Sequence, residues 1–287
     1  MRLFAVLLLC QLVNVDAIAQ PAEAPDLDYA AVTESFALPA GYNFGAVSGV
    51  AISSKGNVFV LNRGPHPIME FEPGGRFVRS LGEGLFDRPH GLRIDAEDNI
   101  WATDGGAHVV IKFNPQGRIL LVLGVKGSPG EWHEAGFLRL FNEPNDVAIG
   151  PAGEIFVTQG HGKGAAPGQF NVPHSIAVDS QGHLHVADRG NKRIQIFDMD
   201  GTFLEERVYF GTPCGLHINR DGNVYLANGH TGQIIKLDAA GKIRGMTGKP
   251  GKGLGQFGEA HFIALGKRDD LYVADTLNWR VQKYMKK

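Results

Sequence analysis

Apolar residues recur along this chain in short runs, each ended by a polar residue and separated from the next by a turn rich in Gly, Asp and Asn. Six of the runs open alike: Val47-Ser48-Gly49-Val50-Ala51-Ile52, Pro89-His90-Gly91-Leu92-Arg93-Ile94, Pro144-Asn145-Asp146-Val147-Ala148-Ile149, Pro173-His174-Ser175-Ile176-Ala177-Val178, Pro213-Cys214-Gly215-Leu216-His217-Ile218 and Ala260-His261-Phe262-Ile263-Ala264-Leu265. Each opening leads through a turn such as Arg220-Asp221-Gly222-Asn223 into a second run, as in Ile100 to Asp104, Leu184 to Asp188 and Val224 to Asn228. A third run follows, seen in Val109 to Phe113 and Arg193 to Phe197, and then a fourth. Four short alternating runs at a period of roughly 40 residues describe the four-stranded blade of a β-propeller. No stretch beyond the N-terminus carries helical periodicity. The pattern therefore predicts an all-β fold, a six-bladed β-propeller.

Two units depart from the period. Asn145 and His174 stand closer together than any other consecutive pair of openings, and after Ile155-Phe156-Val157-Thr158 the chain passes through Gln159-Gly160-His161 straight towards the next unit. The third blade is thus expected to be truncated to two strands, which leaves a notch and an exposed strand edge. The second unit is long, and its excess around Gly130 to Glu134 reads as a loop at the channel mouth. The sixth unit ends after three runs, so the strand-like segment Val32 to Leu38 is expected to supply its fourth strand and close the ring.

The first residues follow different rules. Arg2, the apolar run Leu3 to Leu9 and the small-residue pattern Ala17-Ile18-Ala19 form a secretory signal with cleavage near Ala19. The run is too short, and too interrupted by Gln11, Asn14 and Asp16, to span a bilayer. The expected organisation is a signal peptide over 1–19, a linker over 20–31 and a propeller over 32–287, in a secreted or periplasmic protein with no membrane span in the mature chain. Removal of the signal takes Cys10 with it and leaves Cys214, so no intrachain disulfide is expected. The 39 glycines supply the positive-φ positions that many hairpins need. A net charge of −2 gives no basic footprint for nucleic acid.

The second position of the six openings reads Ser48, His90, Asn145, His174, Cys214, His261. A closed ring brings equivalent positions around one axis, so alternate units present three imidazoles with approximate threefold symmetry. Three histidines with a fourth position open suit catalytic Zn²⁺. The competing reading is that these histidines bond to neighbouring backbone as channel residues. His217 reads as a satisfied interior residue, His183 and His185 as half-buried strand positions, and His230 as a loop residue that either reaches the ring mouth or is simply solvated. Arg63 and Arg189 follow the second strands of units one and four in the same register, placing guanidinium groups on opposite sides of the ring where they suit a carboxylate or an oxyanion. A structural ion pair is the alternative for them.

The stretch Val186-Ala187-Asp188-Arg189-Gly190-Asn191-Lys192-Arg193-Ile194-Gln195-Ile196-Phe197 resembles NHL repeats. Together with Val47-Ser48-Gly49-Val50-Ala51, Arg63-Gly64, Pro89-His90-Gly91-Leu92 and Val172-Pro173-His174-Ser175, it is similar over residues 40–287 to peptidyl-α-hydroxyglycine α-amidating lyase, a six-bladed propeller. The resemblance implies that His90, His174 and His261 hold a catalytic Zn²⁺ and that Arg63 and Arg189 bind substrate. It also implies a structural Ca²⁺ held by backbone carbonyls at Val50 and Leu92 and by an Asp after the third histidine. That last position is Phe262, and carbonyls alone make a poor Ca²⁺ shell. The family's catalytic tyrosine is replaced by His161, an imidazole able to act as a base near neutral pH. The expected activity is cleavage of a peptidyl-hydroxyglycine to a peptide amide and glyoxylate, with a peptide or small carboxylate-bearing ligand. The alternative is a non-catalytic, metal-bearing propeller that binds a peptide or protein partner on its open face. A propeller lactonase is a third reading, disfavoured because such sites rely on carboxylates around Ca²⁺.

Overall fold

The computed structural model describes residues 24–33, 36–130, 139–160, 164–209 and 211–287. Chain order begins with the short strand β1 (Tyr29–Val32). A first blade follows, β2 (Val47–Ile52), β3 (Val58–Asn62), β4 (Ile68–Phe71) and β5 (Phe77–Leu81), and a second, β6 (Pro89–Ile94), β7 (Ile100–Asp104), β8 (Val109–Phe113) and β9 (Ile119–Leu123). Next comes a two-stranded sheet, β10 (Pro144–Ile149) with β11 (Ile155–Gln159). Two further blades are β12 (Pro173–Val178), β13 (Leu184–Asp188), β14 (Arg193–Phe197) and β15 (Phe203–Val208), then β16 (Gly215–Ile218), β17 (Val224–Asn228), β18 (Gln233–Leu237) and β19 (Ile243–Thr247). The small parallel pair β20 (Lys249–Pro250) and β21 (Gln256–Phe257) leads to the last sheet, β22 (Ala260–Leu265), β23 (Leu271–Asp275) and β24 (Arg280–Lys286). The protein is an all-β propeller with five four-stranded blades, one of them completed by β1, and the β10–β11 hairpin lies between two of them. The innermost strands neighbour one another in the order β2, β6, β10, β12, β16, β22 and back to β2.

The turns have a local chemical cause. Asp179 Oδ1 accepts the backbone N–H groups of Gln181 and His183, Asn219 those of Asp221 and Asn223, and Asp198 those of Asp200 and Thr202. Each is an Asx turn that fixes the reversal between strands. The polar residue ending each second strand fastens the segment that leads into its own blade. Asp104, fully buried, accepts from the amides of Asp87, Arg88, Gly106 and Ala107. Asp188 and Asp275 do the same for Asn171 and Gly258. Aliphatic and aromatic residues fill the space between blades, as where Val50, Val60, Met69 and Phe71 meet Phe262 and Ala274.

Closure joins the two ends of the chain. β1 pairs antiparallel with β24, from Tyr29 opposite Lys286 to Val32 opposite Lys283. The expected segment Val32 to Leu38 is therefore displaced. The strand lies earlier, inside what the sequence suggested was linker, and Ala37 makes only an isolated bridge to Arg76. The physical reason is packing: Phe36 leaves the sheet to lie against Phe44 and Phe71. Among the described residues no strand pairs with the outer edge of β11. The expected loop around Gly130 to Glu134 lies outside the described residues apart from Gly130. No helix among the described residues is long and apolar enough to cross a membrane.

Candidate metal centre

His90, His174 and His261 occupy the second position of β6, β12 and β22 and converge at the ring axis. They form the one group of three or more potential metal ligands found among the described residues, with one ligand atom from each lying within 4.8 Å of the others. The rings stand 4.6 to 4.9 Å apart, centre to centre. Tetrahedral zinc at about 2.1 Å per bond requires nitrogens about 3.4 Å apart, so a modest contraction brings this set onto an ion. All three side chains are buried.

The backbone sets the protonation of these rings. His90 Nδ1 lies 2.8 Å from the carbonyl oxygen of Asn145, His174 Nδ1 3.1 Å from that of Cys214, and His261 Nδ1 2.7 Å from that of Ser48. A carbonyl accepts and cannot donate, so each Nδ1 carries the proton and each Nε2 keeps its lone pair. Asn145, Cys214 and Ser48 are the other three members of the same sequence position. Alternate units thus supply imidazoles, and the units between them supply the carbonyls that orient those imidazoles. The Nε2 of His174 is buried with no hydrogen-bond partner, an unsatisfied acceptor of the kind a metal ligand leaves.

Charge reinforces neutrality. Burial, followed by the nearby guanidinium groups of Arg63, Arg88 and Arg189, pushes His90 down to about 3 against the opposing bond to Asn145. Burial and the other imidazoles hold His174 well below the ordinary range, and burial with His90 does so for His261. A neutral imidazole is the form that binds a metal.

Arg189 stands on a single 3₁₀ turn, Arg189–Asn191, directly after β13. Its Nη2 donates to Glu259 Oε1 at 2.7 Å, and His230 Nε2 lies 3.5 Å away. Arg63 donates from Nε to the carbonyl of Pro89 at 3.3 Å, and among the described residues it has no ion-pair partner. Burial and the neighbouring Arg88 charge lower its pKa. The two arginines therefore differ: Arg189 is directly ion-paired with Glu259, whereas Arg63 feels Glu259 and Asp104 only from a distance. His161 lies outside the described residues, as does His133. His230 does reach this mouth. Glu259 and Arg88, which sequence reasoning passed over, belong to it as well; Arg88 pairs with Glu143 at 3.2 Å.

Beside the imidazoles the channel is filled. Arg93 Nε donates to Asp146 Oδ1 at 3.0 Å while Nη2 bonds Oδ2, and further bonds run to Ser175 Oγ at 2.9 Å and to the carbonyls of Leu216 and Ile176 at 3.2 Å each. The guanidinium carbon lies 5.3 Å from the centre of the Phe262 ring. Four inner strands, β6, β10, β12 and β16, are thereby tied together. Val50 and Leu92 are buried in β2 and β6, but the residues around the channel do not fit Ca²⁺. The expected carboxylate is Phe262, and the carboxylate that is present, Asp146, already holds a guanidinium.

The fifth position of the six openings reads Ala51, Arg93, Ala148, Ala177, His217, Ala264. Alanine makes room for Arg93 to cross the channel, and a cavity of about 430 Å³ remains beside Arg93, Ala148, Ala177 and His217. His217 is half-buried and lines that cavity, with no hydrogen bond from its ring among the described residues, so it is not the satisfied interior residue expected. Burial and then Arg93 push it down to about 4. His183 and His185 both bond Asp179, at 3.2 and 3.0 Å.

A β-propeller with neutral histidines converging from alternate inner strands is the class that fold and site define. Within it, residues 170–197 match the family model of the NHL repeat, a span holding both His174 and Arg189. The chain is 33% identical over 187 residues to NHL repeat-containing protein 3 of Mus musculus, covering 55% of this chain and 54% of that protein. It is 35% identical over 208 residues to peptidylglycine alpha-amidating monooxygenase of Rattus norvegicus, covering 54% of this chain and 21% of that one. The chain thus spans about half the length of the first and a fifth of the second. Among solved structures, a streptogramin B lyase superposes with a TM-score of 0.65 at 18% identity, over 90% of this chain and 98% of that one. A gluconolactonase from Xanthomonas campestris gives 0.64 at 16% identity, over 93% and 98%. These two likenesses show the fold.

Proposed function

We propose that the protein is an exported, zinc-dependent propeller lyase of the peptidyl-α-hydroxyglycine type, built on six units of which the β10–β11 hairpin is a reduced third blade. The observation that carries the reading is the set of three buried imidazoles, each with Nδ1 on a carbonyl of the intervening unit and Nε2 free to bind. The similarity to peptidylglycine alpha-amidating monooxygenase supports it. His90, His174 and His261 would hold the ion, which when bound supplies a Lewis acid for an oxygen of the substrate. Arg63, lacking an ion-pair partner among the described residues, receives the substrate carboxylate, and Arg189 shares its charge between that carboxylate and Glu259. The α-hydroxyl loses its proton, the carbon–nitrogen bond breaks, and the amide nitrogen takes a proton to leave a peptide amide and glyoxylate. His161 is the base that the sequence offers for the first transfer. Release of glyoxylate from a peptide ending in α-hydroxyglycine tests the reading: turnover that falls with chelation supports it, and no turnover by a zinc-loaded protein overturns it. N-terminal sequencing of the exported chain should begin at Gln20.

A second reading, a metal-bearing propeller that binds a peptide or protein without chemistry, draws support from one contact. The Arg189–Glu259 pair places an anion where a substrate carboxylate would otherwise be held. Zinc without glyoxylate release is its signature.

A further inference from the structure

The channel mouth away from the three imidazoles is built by all six units. The sixth position of the six openings reads Ile52, Ile94, Ile149, Val178, Ile218, Leu265. Each packs against a blade core yet stays only partly buried. These side chains also line two adjoining cavities. Ile94, Ile149, Val178 and Ile218 border the one of about 430 Å³, and Ile52, Ile94, Ile218 and Leu265 border another of about 910 Å³. An aliphatic collar thus surrounds a space of the size that small molecules occupy. His217 lines both cavities. It is the one histidine among the described residues whose ring has no hydrogen-bond partner, the others bonding backbone, carboxylate or guanidinium groups. A neutral imidazole offers one N–H and one lone pair, and burial with the Arg93 charge keeps this ring neutral. The fold uses neither group.

We propose that this mouth is a second binding site, for a small uncharged amphiphile: an alkyl or aryl body held in the collar, with a carboxamide or hydroxyl head on His217. Charge selects against the alternatives. The Arg93 guanidinium that opposes a proton on His217 equally opposes an ammonium group beside it. A carboxylate would have to shed its water against a guanidinium that Asp146 already holds through two bonds. It would also pass a rim where Glu97, Asp98, Asp221 and Asp269 outnumber Arg220 and Lys267. A neutral head meets neither cost and can donate to or accept from the ring. The second and sixth positions of one opening lie roughly 10–13 Å apart along an extended strand, so the site is separate from the imidazole row. Nothing in it rests on zinc or on lyase activity.

Three probes with one body and different heads, hexanamide, hexanoate and hexylamine, test the proposal by NMR titration of the full chain at neutral pH. The signals followed are the His217 ring, assigned by its loss in His217→Leu, and the methyl groups of Ile94 and Ile218. Hexanamide should move all of them with a Kd of ~1 mM while leaving His90, His174 and His261 unmoved. Hexanoate and hexylamine should bind there at least ~10-fold more weakly. Ala177→Leu, which fills the cavity, should abolish binding. His217→Leu should weaken hexanamide by ~3–10-fold at the same methyl groups, the loss of one neutral hydrogen bond. Both variants should bind zinc as the wild type does. Should Ala177→Leu misfold, His217→Leu decides. Hexanamide that moves neither His217 nor the methyl groups, either charged probe binding there more tightly than the amide, or unchanged hexanamide affinity in folded His217→Leu would each overturn the proposal.

Discussion

The second and fifth positions of the six openings have only two residues between them, yet they do opposite things with charge. At the second position burial, the neighbouring imidazoles and the surrounding guanidinium groups keep three imidazoles neutral, each with its Nε2 lone pair available to a cation. At the fifth, the protein supplies its own cation, Arg93, and matches it with the buried carboxylate of Asp146. The frame is the same in both rows: repeated strands, repeated turns, one residue per unit facing the axis. One row is therefore open to an external ion and the other is closed to it, and the choice rests on two or three side chains among six.

The largest break in that comparison comes from Arg93→Met. It strands Asp146 as an unpaired buried carboxylate and should cost ~3–5 kcal/mol in urea unfolding. The double variant Arg93→Met, Asp146→Leu should recover most of the loss, since replacing both partners removes the uncompensated charge.

A smaller change reaches the metal row without touching an imidazole. A Cβ at Gly91 would stand 2.5 Å from the carbonyl oxygen of Asn145, the oxygen that fixes the His90 ring. Gly91→Ala should lower zinc affinity by ~10–100-fold, measured by competition with a chelating dye, because the orienting contact is displaced. Arg63→Gln should weaken binding of a carboxylate ligand by about tenfold, and Arg189→Gln by less, because Glu259 already takes part of the Arg189 charge. Equal losses would mean that the two arginines are equivalent and that the ion pair is incidental.

The mildest test is acidification. His217 has a folded pKa pushed down to about 4, below the value near 6.5 of an unfolded histidine. The unfolded chain therefore binds the extra proton between those limits, so stability is complete above about pH 6.5 and falls as pH drops towards 4. His217→Asn should flatten that part of the pH–stability curve. If the slope persists unchanged, the histidines of the metal row carry it.

Much of this is legible in the sequence. The alternation of apolar positions and the Asp-and-Gly turns mark strands and reversals directly, and a repeat that closes on itself converts a column of letters into a ring of neighbours. That is why His90, His174 and His261, scattered over most of the chain, could be placed together. Pairings that obey no repeat are invisible: Glu259, just before β22, meets Arg189, just after β13, and nothing in either segment announces it. Arg93 was visible but unread, the one guanidinium in a column otherwise made of alanine and a single histidine. The closing strand was misplaced because Val32 to Leu38 alternates convincingly, whereas the hydrogen bonds are made by Tyr29–Val32 and Phe36 turns inward instead.

Metal analysis by mass spectrometry, after equilibration with zinc and exhaustive dialysis, tests the central claim most directly. The account predicts one zinc per chain in the wild type and none in His90→Ala or His174→Ala, with both variants still folded. A wild type without zinc, or an unchanged stoichiometry in folded His90→Ala, would contradict it.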